Sequence, residues 1–428
     1  MRSQSMWTEG DLLWIAAPSL TYPFVHHMAA EARPVRLATF RSFSKLLGIS
    51  RAHFGVNFAY DSSQTVFVWS STNQFRPLAR LHNSANSGRY TYRARRQSGF
   101  STTLEERSAS LARTFLGEHF HVDSEVVRQQ LRAALVSIAF SLDFIHHLKP
   151  RQLVVSTQHH PLQRALTLVA RSSGLPTTYI PHAPTADNVQ YKDLPFDRAL
   201  LRGRGDYDLY SMWGARADQM SVTGDPSFDL DSNYIPDGVE PKRQIAVAPS
   251  PWATNHLKWF FTCIHAAGIT DYVLLPHSAS NASEIDALRS PQSVNVPNTR
   301  TVEFLKKHPV AVIQSSSGVA LEAMALGRPV IELRPREMQR NYAFANTPLI
   351  HEATDTMALR RAISRALSQP NPDQTLMEYA NRWVSPVGLA SVNSLLDALA
   401  SPVSGPEWVL DSWSMQIDRS TLKKPIRI

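Results

Sequence analysis

Three consecutive serines, Ser315, Ser316 and Ser317, stand between the apolar run VAVIQ and the stretch GVALEAMALG. The first run reads as a buried strand ending at 315, and the second as a helix at 318–327. A helix that opens on serines directly after a strand turns its free first-turn amides and the hydroxyls toward one point, a geometry that binds phosphate. Ser315, Ser316 and Ser317 are the candidate donors, and Gly318 suits a close phosphate approach. Glu322 lies four residues into this helix among small apolar residues, where a carboxylate is costly unless exposed or paired. Facing a cleft, it would accept hydrogen bonds from ribose hydroxyls. The same pattern also fits a plain serine cap on a buried helix.

Two histidines stand where strands should end. His277 follows DYVLLP and His182 follows TTYIP. Ligands of open α/β sheets bind outside the carboxyl ends of the strands. If the two histidines meet a cleft from opposite domains, His182 can take the proton of an acceptor hydroxyl. His277 can then give a hydrogen bond or proton to a departing phosphate. Each also fits a satisfied, non-catalytic histidine. Asp187, which begins a polar segment continuing through Asp193 and Asp197, is a rival general base or the partner that orients one. His159 and His160, after QLVVST, are weaker candidates. No residue stands out as a covalent nucleophile, so this chemistry predicts direct displacement with inversion.

Other chemistries lack their signatures. There is no GxxxxGK[ST] loop, no GxGxxG after the first strand and no GxSxG elbow. There is no HExxH, and no DxD-type pair in a suitable context. No metal site and no cofactor are expected. The single cysteine, Cys263, excludes an intrachain disulfide and a Cys-rich zinc site. Of the 428 residues, 43% are hydrophobic and 19% charged, ordinary values for a globular chain. No apolar stretch is long enough to span a bilayer. The N-terminal segment contains Glu9 and Asp11 and reads as a first strand rather than a signal peptide. A cytoplasmic protein is therefore expected.

The formal charge of +8 favours anionic ligands without specifying one. Much of it lies in one tract: Arg76, Arg80, Arg89, Arg93, Arg95, Arg96 and Arg107. That tract reads as a solvated loop, or as a surface for an anionic acceptor or for anionic headgroups at the inner membrane face. No nucleic-acid-binding motif accompanies it, and no nucleic acid is expected.

The elements that must position these residues follow an α/β pattern. Strands are predicted at 12–18, 35–40, 64–70, 152–157, 177–181, 206–214 and 221–226. Helices are predicted at 104–119, 124–148, 165–174 and 215–220, and residues 71–105 read as a long loop or insertion. The second half alternates more cleanly, with strands at 244–250, 271–276, 310–315 and 328–333. Helices at 253–268, 281–289, 301–309 and 318–327 separate them, and late helices follow at 356–367, 376–387 and 391–399. Trp408 and Trp413 should pack somewhere in the tail. Such alternation implies two mostly parallel, helix-covered sheets, with the linker at 227–243. The expected domains are 1–235, Rossmann-like and acceptor-side with a basic insertion near 71–107, and 236–385, Rossmann-like and donor-binding. A helix and tail at 386–428 would pack back toward the first domain.

Four stretches resemble the bacterial CDP-glycerol glycerophosphotransferases and capsular polysialyltransferases. PHSAS at 276–280 resembles their His-Pro motif, and QSSSGVALEAMALGRPVI at 314–331 their donor-phosphate serine motif. VTGDPSFD at 222–229 resembles a Thr-Gly-x-Pro-Arg-x-Asp segment. IPHAPT at 180–185, with Trp213-Gly214, resembles the acceptor-side pattern. The resemblance spans roughly residues 150–370. It implies a GT-B-like fold, with two Rossmann-like domains facing each other across a cleft. It also implies metal-independent transfer from a nucleotide-activated donor, CMP-linked or other, to a cell-surface glycan or similar hydroxyl acceptor. Capsule or other envelope polysaccharide synthesis is the implied setting. His277 and the serines would hold the donor phosphate, and His182 would lie on the acceptor side. Ser278, Ser227 and Ala183 depart from the family's proline, arginine and glycine, which favours a sugar donor over glycerophosphate. A nucleotide-sugar epimerase and a non-catalytic glycan-binding or assembly protein remain alternatives on the same scaffold.

Overall fold

Short runs of wholly apolar or shielded residues form the centre of each sheet, as expected for parallel strands covered on both faces. The computed structural model describes Ile15 and residues 53–61, 64–82, 86–93, 134, 137–138, 140–158, 160–187, 191–192, 194–228, 245–250, 254–277, 280–296, 301–308, 310–336, 338, 340 and 342–403.

The first sheet has seven strands: β1 (His53–Tyr60), β2 (Thr65–Trp69), β3 (Ser87–Arg93), β4 (Gln152–Val155), β5 (Thr177–Tyr179), β6 (Arg198–Leu201) and β7 (Met220–Val222). Their order is β3-β1-β2-β4-β5-β6-β7. From β2 to β7 the pairing is parallel, while β1 runs antiparallel to both β2 and β3. Side-chain alternation divides this sheet into two cores. Leu153 and Val155 pack with Leu162, Leu166 and Phe144 on one face. Val154, Phe67 and Leu200 pack on the other, where the late helix Gly388–Ala400 supplies Val392 and Leu395.

The second sheet has six parallel strands: β8 (Ile245–Ala248), β9 (Val273–Leu274), β10 (Val294–Asn295), β11 (Ala311–Gln314), β12 (Val330–Leu333) and β13 (Ile350–Ala353). Their order is β10-β9-β8-β11-β12-β13. Helices Thr301–Lys307, Val319–Ala325 and Gln374–Val384 cover one face, and Thr254–Ala266 with Thr356–Ser368 covers the other. The chain is thus two Rossmann-like α/β units packed together, a GT-B-like arrangement.

Three expectations need correction. Residues 206–214 are not a strand: β6 ends at Leu201, and Arg204–Met212 is a helix capped by Gly203. Leu209 and Tyr210 are buried while Ser211 and Met212 are exposed, a helical rather than an alternating pattern. The basic stretch is not one long loop. It contains the short helix Thr72–Phe75 and the strand β3, which carries Arg89 and Arg93 into the edge of the sheet. Ile15 is helical and buried, so it does not belong to an opening strand. The expectations at 35–40, 104–119, 229–243 and the tryptophan tail lie outside the described residues, as do Arg95, Arg96 and Arg107.

The two units meet through small residues. Trp383 lies against Gly203 and Gly205, where any Cβ would come within 2.5 Å of it. Arg382 pairs with Asp208 at 2.8 Å across the same junction. The Asp225 amide donates to the Pro386 carbonyl at 2.9 Å. Arg198 then holds the end of the last helix through the Ser401 carbonyl at 3.1 Å.

Candidate functional site

The strand-end loops of the first sheet gather a buried polar cluster. Ser156 to Gln158 follow β4, His182 to Thr185 follow β5, Arg202 and Asp206 follow β6, and Thr223 to Asp225 follow β7. His182 is half-buried, and its Nδ1 lies 2.5 Å from the Ser156 carbonyl oxygen. The carbonyl can only accept, so Nδ1 bears the hydrogen and Nε2 is the basic nitrogen. Burial takes this imidazole down to about 4, the Arg202 cation adds to the fall, and the Ser156 bond and Asp225 oppose it. It is therefore neutral at neutral pH, which leaves the Nε2 lone pair free to accept a proton, while the same burial makes it a weaker base than a solvated imidazole.

Arg202 and Asp225 form a buried ion pair, with Nε at 2.7 Å and Nη2 at 2.6 Å from Oδ2. Asp225 Oδ1 accepts from the Ser227 amide at 2.8 Å. The Thr-Gly-Asp-Pro segment therefore pins the end of β7 to the end of β6. Asp206, 1% exposed, accepts from the Thr185 amide at 3.3 Å. Burial pushes its carboxyl up to about 6, against Arg202 and the Thr185 hydroxyl and amide. Tyr210 accepts from Gln158 Nε2 at 2.7 Å, and burial pushes its phenol upward.

In the second unit, β11 delivers the serines. The Ser315 side chain is fully buried and accepts from the Ser250 amide at 2.7 Å, tying β11 to the loop after β8. Ser316 adopts a left-handed backbone, φ +47°. This is uncommon for a residue with a side chain and marks a constrained turn. The Ser317 amide donates to Gln314 Oε1 at 2.6 Å, and its hydroxyl accepts from Val319 at 3.4 Å. Gly318 is the helix cap, and Glu322 is half-buried in the first turn of Val319–Ala325. Gly327 closes this segment at φ +66°, where a Cβ would lie 2.6 Å from the Asp373 amide. His277, half-buried after β9, is held below the ordinary imidazole range by burial and then by the Arg76 cation. Arg76 caps the helix Thr72–Phe75 of the first unit, so its charge acts on His277 from across the junction.

The two loops also meet sterically. A Cβ on Gly318 would stand 3.4 Å from Pro184 Cδ, two residues beyond His182. Ala186 and Tyr342 form an isolated antiparallel bridge beside it. The histidine loop and the serine loop therefore belong to one interdomain locus. Asp187 is exposed at its edge. Asp197 is not there: it accepts from Thr177 and pairs with Arg171 at 3.2 Å. His160 caps the helix Pro161–Ser172 by accepting from the Leu162 amide at 3.3 Å, a structural role. His159, Asp193 and Ser278 lie outside the described residues.

Sequence reasoning missed Gln158, Arg202, Asp206, Tyr210 and Asp225 as members of this cluster. The available signal was RALL followed by RGRGD, a strand running into a glycine-capped helix. Reading 206–214 as a strand concealed it. Among the described residues, no group of three or more His, Cys, Asp or Glu could hold a metal ion, and no helix is long and apolar enough to cross a membrane.

No protein-family model matches the chain, and no curated protein matches it. Solved structures with a related outline include an S. aureus MnaA–UDP complex, 16% identical, with a TM-score of 0.45 over 64% of this chain and 81% of that one. A Neisseria meningitidis UDP-GlcNAc 2-epimerase bound to UDP-GlcNAc is 14% identical, with a TM-score of 0.44 over 63% and 81%. The spinosyn rhamnosyltransferase SpnG with thymidine diphosphate is 14% identical, with a TM-score of 0.45 over 69% and 81%. Likenesses at this level assign no activity. The GT-B-like description rests on the chain's own two sheets and on the way their strand-end loops meet.

Proposed function

We propose that the chain is a nucleotide-sugar-modifying enzyme whose substrate sits between the His182 loop and the serine loop. The observation that carries this reading is the approach of Pro184 to Gly318. That approach brings the loop carrying the neutral His182 imidazole to the strand–serine–helix turn. In this reading Ser316, Ser317 and His277 face the phosphates, and Glu322 faces the ribose. Their hydrogen bonds would stabilise the charge that develops on a departing nucleotide without a metal ion.

Two reactions use this arrangement. In glycosyl transfer, His182 Nε2 takes the proton of an acceptor hydroxyl as the sugar inverts, with Asp187 as helper. The acceptor would be a glycan or similar hydroxyl compound, and the exposed Arg89 favours an anionic one. In epimerisation, one nucleotide sugar is altered with no second substrate. The approach of Pro184 to Gly318 suits both reactions, since each needs water kept from the reacting sugar. A glycerophosphate donor is the third chemistry, and a non-catalytic glycan-binding role would leave only binding.

A panel of UDP-, CMP-, dTDP- and CDP-linked substrates, incubated with and without oligosaccharide acceptors, separates these. Acceptor-dependent nucleotide release supports transfer. Acceptor-independent change at the sugar, followed by NMR in deuterated water, supports epimerisation. Absence of nucleotide binding by calorimetry would overturn the whole proposal.

A further inference from the structure

Thr185 stands between the two residues by which the first unit's loop meets the second. Pro184 faces Gly318, and Ala186 bridges to Tyr342. The Thr185 amide itself turns the other way and donates to Asp206 Oδ1 at 3.3 Å. Asp206 is buried in the first turn of Arg204–Met212, the helix whose glycine start is clamped by Trp383. One carboxylate thus ties the loop to a rigid helix while the neighbouring residues engage the second sheet.

We propose that Asp206 is the positioning residue that holds the loop 182–187 in register with the serine loop. Either protonation state of the carboxyl leaves Oδ1 able to accept from the Thr185 amide. The groups facing this carboxyl are Arg202 at the end of β6, Asp225 after β7, Tyr210 one turn along the same helix, Tyr179 on β5 and the Thr185 side chain. His182 lies within reach of the same Arg202–Asp225 pair. Arg202 is the only cation acting on Asp206 among them, and burial outweighs it, so protonation falls near pH 6 rather than in the usual carboxylate range. The inference does not depend on which reaction the cleft performs.

Hydrogen–deuterium exchange on the full chain tests it, read at peptides covering 182–187 and corrected for intrinsic exchange. Asp206→Ala should lower protection there about tenfold at neutral pH, while β4 and β5 peptides stay constant. Asp206→Asn keeps an acceptor oxygen, so it should retain the protection of the wild type. Lost protection in a folded Asp206→Asn would overturn the proposal, as would wild-type protection in a folded Asp206→Ala. If the alanine variant does not fold, the asparagine variant decides alone.

Discussion

His182 donates through Nδ1 to the carbonyl of Ser156, 2.5 Å away. The backbone at the end of β4 therefore chooses the tautomer of a side chain after β5. No carboxylate is needed to orient the ring, and the basic nitrogen is Nε2. This relationship separates the binding and proton-transfer roles assigned to the cleft.

His182→Ala should retain nucleotide binding and lose turnover by about 10²–10⁴-fold, the usual contribution of a positioned acid–base group. Calorimetry with nucleoside diphosphates and a turnover assay on the same preparation check the two halves. Near-normal turnover in the folded variant would remove His182 from the mechanism.

The three serines should not behave alike. Ser315→Ala removes the acceptor for the Ser250 amide and should cost about 1 kcal/mol of stability. Ser316→Ala with Ser317→Ala should instead weaken nucleotide binding about tenfold or more while moving the unfolding midpoint little. Urea titration and calorimetry distinguish the two outcomes. Unaltered affinity in the folded double variant would move the phosphate elsewhere.

Asp206 and His182 should pull the pH dependence of stability in opposite directions. The Asp206 carboxyl is raised from 3.8 to about 6, so its contribution is fully present below its unfolded value and is lost as pH rises through about 6. The span is about 3 kcal/mol at full titration. His182 is lowered from 6.5 to about 4, so its contribution is present above 6.5 and is lost as pH falls toward 4. Asp206→Asn should therefore raise stability at neutral pH and make the loss toward acid steeper than in the wild type. Urea unfolding at intervals between about pH 4 and about pH 7.5 measures both slopes. Parallel curves for the two proteins would contradict the assigned burial of Asp206.

The Arg202–Asp225 pair should prove costly to break from either side. Asp225→Ala leaves a buried guanidinium without its carboxylate and also removes the acceptor for Ser227, so a loss of about 3–5 kcal/mol is expected. Replacing both partners with apolar residues should cost less than the sum of the single changes. A double-mutant cycle in urea measures the difference.

Much of the second unit was legible in the sequence. IAVA, AVIQ and VIEL are short buried runs, the first two each followed by a helical pattern, and period and length alone separate the two states there. The positions of His182, His277 and the serines just after buried strands were also legible, because a short apolar run marks where a strand stops. The helix Arg204–Met212 was not, since DYDLY alternates polar and apolar residues and so imitates a strand. The glycine in RGRGD was the signal the sequence offered against a strand, while the Trp383 contact at that helix start is a tertiary fact. The β1–β3 pairing was equally hidden, because SGRYTYR is polar and gains its strand state from seven backbone partners in β1.

What the sequence determined by itself was local: which segments are buried, where strands stop, and which chemically capable residues stand at those stops. Only the tertiary structure decided that Asp206 lies under Thr185, that Arg202 pairs with Asp225, and that Pro184 meets Gly318. Those relationships join residues on different strands or different sheets. Hydrophobic periodicity carries no information about them, because it records burial but not the partner that buries each side chain.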